Sequence, residues 1–187
     1  MTDTQIFEPE ARAIPFAVEG EGPVSLVLLS EGDLGGDGLS VISHYLVEEA
    51  GFHVVRIGSR GELADLDERV EDVVAVLDHV GLEHTWIGGY RGGRNVAGAF
   101  AASHTDRSNG LLLLGVEEDQ LALAPLIPVL IIQGADDDVT PPAHGERLQA
   151  TAPERASVKN LDGAGHDFPL THPIQTAFII EEYLDWD

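Results

Sequence analysis

"GGYRGGRNVAG", Gly88 to Gly98, follows a short apolar run and opens a segment of small, helix-compatible residues. That order predicts a strand, a tight glycine-rich turn and a helix in immediate succession. Read as Gly89-Tyr90-Arg91-Gly92-Gly93, the turn fits the G-x-S-x-G frame of a sharp strand-to-helix elbow, with an arginine in the serine position. A one-residue slip, Gly88-x-Tyr90-x-Gly92, also fits the bare pattern. Counting back from "AFAASHTDR", which belongs late in the following helix, favours Arg91 as the tip.

Working outward, two kinds of segment alternate. Runs rich in β-branched residues and leucine read as buried parallel strands at 24–29, 53–57, 84–89, 111–115, 129–134 and 156–161. Helical spacing of apolar residues fills 39–50, 66–80, 94–103, 142–151 and 173–185. Pro141-Pro142 suits a helix start, where a missing N–H costs little. "AIPFAV" before "EGEGP" reads as an edge strand ending in a turn. Repeated strand–helix–strand units predict an α/β fold, a three-layer sandwich whose mostly parallel sheet has about six to seven strands. The whole chain, 1–187, reads as a single domain, with residues 1–12 open to being a loose N-terminal segment.

Composition narrows the function classes. A chain of 187 residues buries roughly 70% of its unfolded surface. It has no cysteine, which excludes disulfides, thiolate metal sites and a cysteine nucleophile. No apolar run approaches the roughly 20 residues of a membrane span. The acidic start "MTDTQIFEPE" does not read as a signal peptide, and a cytoplasmic protein is expected. A net charge of −23, with nine Arg and Lys159 as the single lysine, argues against nucleic acid and anionic membranes as partners. Carboxylates spread over nearly every segment read as general solvation or adaptation to salt, not as one acidic binding face.

In sheets of this kind ligands sit beyond the carboxyl ends of the strands, so the residues after each strand carry the information. Two such loops hold an acid and a base. "QGADDDVTPP" puts Asp136, Asp137 and Asp138 past one strand, and "LDGAGHDFPL" puts His166 past the next. A carboxylate hydrogen-bonded to an imidazole fixes its tautomer and stabilises the imidazolium, which equips it as a general base.

From about Ile14 to the end these segments together resemble the α/β-hydrolase superfamily, in particular its small esterase-like and lactonase-like members. "AIPFAVEGEGPVSLVLLSEG" is similar to the opening strand, turn and strand, and "RIGSRGE" stands where the family has a D-x-R-G-like turn. "HTWIGGYRGGRNVAGAFAASHTDRSNGLLLLG" follows the elbow, its helix and the next strand without a gap. "IPVLIIQGADDDVTPP" and "GAGHDFPLTHP" resemble the acid and histidine segments. The resemblance implies Asp137 as acid, His166 as base and Arg91 at the nucleophile position, in the chain order of this fold. The family often inserts a helical cap where this chain has only "VEEDQLALAPLIP", so a minimal, capless version with abbreviated early strands is implied.

Two departures stand out. A guanidinium stays protonated and offers no lone pair, so Arg91 cannot attack a carbonyl. On the oxyanion loop, where the family usually has His-Gly, the chain reads Ser30-Glu31-Gly32, and a Glu31 carboxylate would repel the oxyanion that this loop and the Gly92 N–H would hold. A buried guanidinium needs a partner, so Arg91 is expected to bond a carboxylate, Glu31 first and one of Asp136–Asp138 second. Tyr90, Ser30, Glu31, Gly32 and Gly92 complete the candidate binding region. Ser30 and Ser59 are substitute nucleophiles only if one of them reaches His166.

No cofactor is expected. The eight histidines form no ligand cluster, and the three aspartates lack the spacing of a calcium loop, so no metal is expected either. "GDLGGDG" lacks the lysine of a phosphate loop. Trp86 reads as core packing, Trp186 as cover for a hydrophobic surface or an interface, and a homo-oligomer is compatible with the sequence. Two functions stay open. One is a catalytically degenerate hydrolase homologue that binds a small ligand, a carboxylate for instance, or a partner. The other is an active ester or lactone hydrolase, or an acid–base enzyme, working through His166 and Asp137.

Overall fold

The computed structural model describes residues 4–9, 13–32, 34, 38–59, 64–117, 123–124 and 126–185. Eight strands form one sheet in the order β1-β2-β4-β3-β5-β6-β7-β8. They are β1 (Gln5–Phe7), β2 (Ile14–Glu19), β3 (Ser25–Leu29), β4 (His53–Ile57), β5 (Thr85–Tyr90), β6 (Ser108–Leu114), β7 (Val129–Gly134) and β8 (Ala156–Leu161). β1/β2 and β2/β4 pair antiparallel, and every later pair is parallel. The helices are α1 (Leu39–Glu48), α2 (Leu66–Val80), α3 (Gly92–Ser103), α4 (Pro142–Ala150), α5 (Phe168–Thr171) and α6 (Pro173–Leu184).

The strands read as continuous apolar runs because both of their faces are covered. Leu26 and Leu28 of β3 point to one side with Leu39, Ile42 and Leu46 of α1 and Ala177, Ile180 and Leu184 of α6. Val27 and Leu29 point to the other with Val73 and Leu77 of α2, Val96 and Phe100 of α3 and Leu148 of α4. Local chemistry fixes the helix ends. Asp65 and Glu68 form a capping box at the start of α2, and Gly81 closes that helix at φ 78.

The sheet differs from expectation at its amino-terminal side. β1 lies inside the segment expected to be loose and pairs with β2, so β2 is an inner strand and not an edge. Three residues with little burial give no readable alternation, which is why β1 escapes a pattern search. β6 and β7 are joined by residues 115–128, which leave no room for a cap domain. Trp186 lies outside the described residues, as do residues 60–62 of "RIGSRGE" and 33 and 35–37 of "GDLGGDG".

After β3 the chain moves outward to β4, then crosses back over β3 to lay down β5 on its other side. The crevice at that reversal, between the carboxyl ends of β3 and β5, is where an open α/β sheet offers a site. The loops carrying Glu31 and Arg91 flank it.

Candidate functional site

The elbow is present in full. Arg91 stands alone between β5 and α3 with φ 54 and ψ −129, a conformation that costs a non-glycine residue about 1–3 kcal/mol. Tyr90 is the last residue of β5, so the tip is Arg91 and the slipped register is not adopted. The glycines on either side are demanded by backbone proximity. A Cβ on Gly89 would lie 2.2 Å from the Gly93 carbonyl oxygen, and one on Gly93 would lie 2.1 Å from that of Leu29.

The acid and base also meet. The Asp137 carboxylate, completely buried, lies 3.1 Å from His166 Nδ1 through Oδ2. Its Oδ1 accepts from the backbone N–H groups of Val139 and Thr140, both at 2.8 Å, and the Thr140 hydroxyl donates to Oδ2. Burial pushes the Asp137 carboxyl up. The hydrogen bonds from Thr140, from Val139 and from His166 outweigh that push and hold it below the ordinary carboxylate value. The ring of His166 keeps partial access to solvent. This pair therefore has the geometry of an oriented, ionised acid behind a histidine.

The loop after β3 packs a side chain onto the elbow. The Glu31 side chain lies against Gly92, with Cδ and Oε1 only 3.2 and 3.3 Å from where a Cβ on that glycine would stand. Gly92 opens α3, and the first N–H groups of a helix have no intrahelical acceptor and attract anions. Arg69 helps to hold the loop, donating from Nη2 to the Ser30 carbonyl at 2.8 Å and facing Glu31 electrostatically. Gly32 N–H donates to Ser59 Oγ at 3.1 Å.

Arg91 bonds neither Glu31 nor any of Asp136–Asp138, and the expected partner is corrected. Its Nη2 donates to Asp167 Oδ1 at 2.9 Å, and its guanidinium carbon sits 5.1 Å from the Tyr90 ring centre. The reason is direction. The elbow throws the arginine outward, toward the histidine loop, so that its side chain is 45% exposed and the burial that would have demanded an inner partner is absent. Tyr90 lies beneath, buried, and its hydroxyl donates to the His166 carbonyl at 3.4 Å. It supports the histidine loop instead of facing a ligand.

Neither candidate serine reaches His166. Ser30 is 1% exposed, and its Oγ bonds nothing among the described residues. Ser59 is engaged by the oxyanion loop. Trp86 is half-buried, packs against the core cluster on its side of the sheet and meets Tyr183 edge-to-face. Behind the elbow a buried Arg94 bonds the Leu114 carbonyl at 3.2 Å and Glu117 at 2.7 Å. Asp167, Arg69 and Thr140 are the participants the sequence reading passed over. Thr140 had a legible signal, since Asp-x-x-Thr before a proline is a turn whose aspartate accepts from the residues after it. Asp167 had only its place beside His166.

Among the described residues no group of three His, Asp or Glu side chains is arranged to hold a metal ion. No helix among them is long and apolar enough to cross a membrane.

No protein-family model matches the sequence, and no curated protein does. Solved structures do. Epoxide hydrolase A from Mycobacterium thermoresistibile is similar over 99% of this chain and 98% of its own, with 15% identity and a TM-score of 0.77. Est1E from Butyrivibrio proteoclasticus is similar over 96% of both chains, with 14% identity and a TM-score of 0.76. E-2-(acetamidomethylene)succinate hydrolase is similar over the full length of both chains, with 13% identity and a TM-score of 0.80. Identities this low carry architecture only. With the sheet order, the crevice between β3 and β5 and the strained strand-to-helix elbow, they establish that the chain has the α/β-hydrolase fold.

Proposed function

We propose that this protein is a catalytically degenerate hydrolase homologue whose elbow pocket binds a small ligand. The observation that carries the reading is the Glu31 carboxylate lying against Gly92. Acyl transfer needs donors aimed at a developing oxyanion, and removing one donor alone costs about 10²–10³ in rate. A carboxylate in that position goes further and opposes the charge as it forms. Arg91 at the tip supplies no nucleophile. The two changes support each other, because either one alone disables covalent hydrolysis.

Arg91 is the natural contact for a ligand. Its pair with Asp167 is exposed on both sides, and such pairs are worth about 0–1 kcal/mol. A carboxylate ligand can therefore take the guanidinium from Asp167 at little cost, with the bidentate geometry that arginine favours. The Glu31 carboxylate stands beside Gly92 at the helix N-terminus, where its charge disfavours a second anion.

A second reading has its own observation. The Asp137–His166 pair keeps the distance and burial of a working dyad, which supports proton transfer without a covalent intermediate. One set of assays separates the two. With 4-nitrophenyl acetate and a fluorophosphonate probe, the wild type is expected to show no turnover above His166→Ala and no labelling. Arg91→Ser combined with Glu31→Gln is expected to be labelled. Butyrate is expected to shift the Arg91 side-chain resonance in NMR, an effect that Arg91→Ala removes. Wild-type turnover that His166→Ala abolishes would sink the degenerate reading in favour of the dyad.

A further inference from the structure

At the opposite end of the sheet from the elbow, a cleft of about 600 Å³ opens between β8, α6 and the amino-terminal ends of β5 and β7. Its walls are Trp86, Pro128, Lys159, Ile179, Glu182 and Tyr183. This volume lies within the roughly 300–1,000 Å³ of small-molecule sites.

The aromatic wall is fixed in place. The Trp86 indole lies directly over Gly110, where a Cβ would fall 2.1 Å from ring carbon Cζ3, so only glycine lets the ring lie there. Tyr183 meets that indole edge-to-face at 5.8 Å, and its hydroxyl donates to the Val129 carbonyl at 3.4 Å. A pre-set aromatic surface binds without the ordering cost that a mobile one carries.

The charges are the second observation. Lys159 is the only lysine in a chain with 33 carboxylates, yet among the described residues it has no ion-pair partner. Glu182 has none either, and the two do not pair with each other. One ammonium and one carboxylate thus line the same aromatic cleft, separate and uncompensated.

We infer that this cleft is a second ligand site, for a compact zwitterion with an aromatic body, the chemistry of an aromatic amino acid. The ring packs on Trp86 and Ile179, the ligand carboxylate faces Lys159, and its ammonium faces Glu182. The site is independent of what the elbow does.

The test uses the intact protein and three probes with the same phenylethyl body and different charged groups: L-phenylalanine, 3-phenylpropionate and phenethylamine. Binding is read from the Trp86 indole N–H resonance, assigned with Trp86→Phe, at millimolar probe. L-phenylalanine is expected to bind most tightly. Lys159→Met is expected to weaken L-phenylalanine and 3-phenylpropionate about tenfold and leave phenethylamine unchanged. Glu182→Gln is expected to do the reverse, weakening L-phenylalanine and phenethylamine alone. Both residues are exposed, so these variants leave the core intact. The inference is overturned if no probe shifts the indole, if one singly charged probe matches L-phenylalanine, or if each variant affects all probes alike.

Discussion

At the scale of single residues the best-determined group in the pocket is Asp137, and its protonation state follows from its hydrogen bonds. It accepts from two backbone N–H groups, a hydroxyl and an imidazole, all of which favour the charged form. A carboxyl held below its unfolded value adds stability that is complete above the unfolded pKa, near 3.8. That stability is lost as the pH falls through the lower folded value. Asp137→Asn is therefore expected to cost about 3 kcal/mol near neutral pH, since an amide cannot accept all four bonds. As the pH falls from about 4 toward the lower folded value the gap between variant and wild type is expected to narrow. Urea unfolding at pH 7 and pH 3 measures both. An equal cost at the two pH values would mean that the ionised form is not what the surrounding donors stabilise. Asp137 and His166 were legible in the sequence because each follows a strand in adjacent βα units, and topology alone brings such positions together. Arg91's partner was not legible. Side-chain direction at an elbow depends on one strained residue, and spacing does not encode it.

At the scale of elements the elbow explains its own glycine spacing. Residues two before and two after the tip lie where α3 crosses the ends of β3 and β5, and the obstacles there are backbone carbonyls that cannot rotate away. Gly93→Ala pushes a methyl to 2.1 Å from the Leu29 oxygen and is expected to cost about 3 kcal/mol or to prevent folding. Gly92→Ala meets only the Glu31 side chain at 3.2 Å, a flexible neighbour, and is expected to cost about 1 kcal/mol or less. Thermal unfolding of the two variants side by side decides the matter; equal losses would contradict this account. The contrast also explains why the elbow could be recognised in a sequence that lacks its serine. The frame is written by the packing of a helix on two strands, and that packing remains whether or not a nucleophile sits at the tip. The central strands were equally legible, because burial on both faces leaves an unbroken apolar run such as Leu111–Leu114. β1 and the single turn of α5 were not, since each is too short to establish a period.

At the scale of the whole molecule the dominant fact is charge. Thirty-three acidic residues against ten basic ones leave −23 on a chain of 187 residues. Among the described residues four arginines are paired, Arg56 with Glu19, Arg91 with Asp167, Arg94 with Glu117 and Arg107 with Asp78, each neutralising a single carboxylate. The remaining carboxylates repel one another across the surface, and compaction brings them closer than they are in the unfolded chain. Salt shortens that repulsion, from a Debye length of about 30 Å at 0.01 M to about 10 Å at 0.1 M. The paired charges work in the opposite direction but are few; the buried Arg56–Glu19 pair is screened little, and the exposed Arg91–Asp167 pair loses about 0–1 kcal/mol. The repulsive sum therefore wins, and the melting temperature is expected to rise by about 5 °C or more between 0.01 and 0.5 M NaCl. The same interval of sucrose osmolality serves as the control, since an excluded solute stabilises without screening. A melting temperature that is flat in NaCl, or that rises equally in sucrose, would show that the carboxylates are spaced widely enough for water alone to separate them.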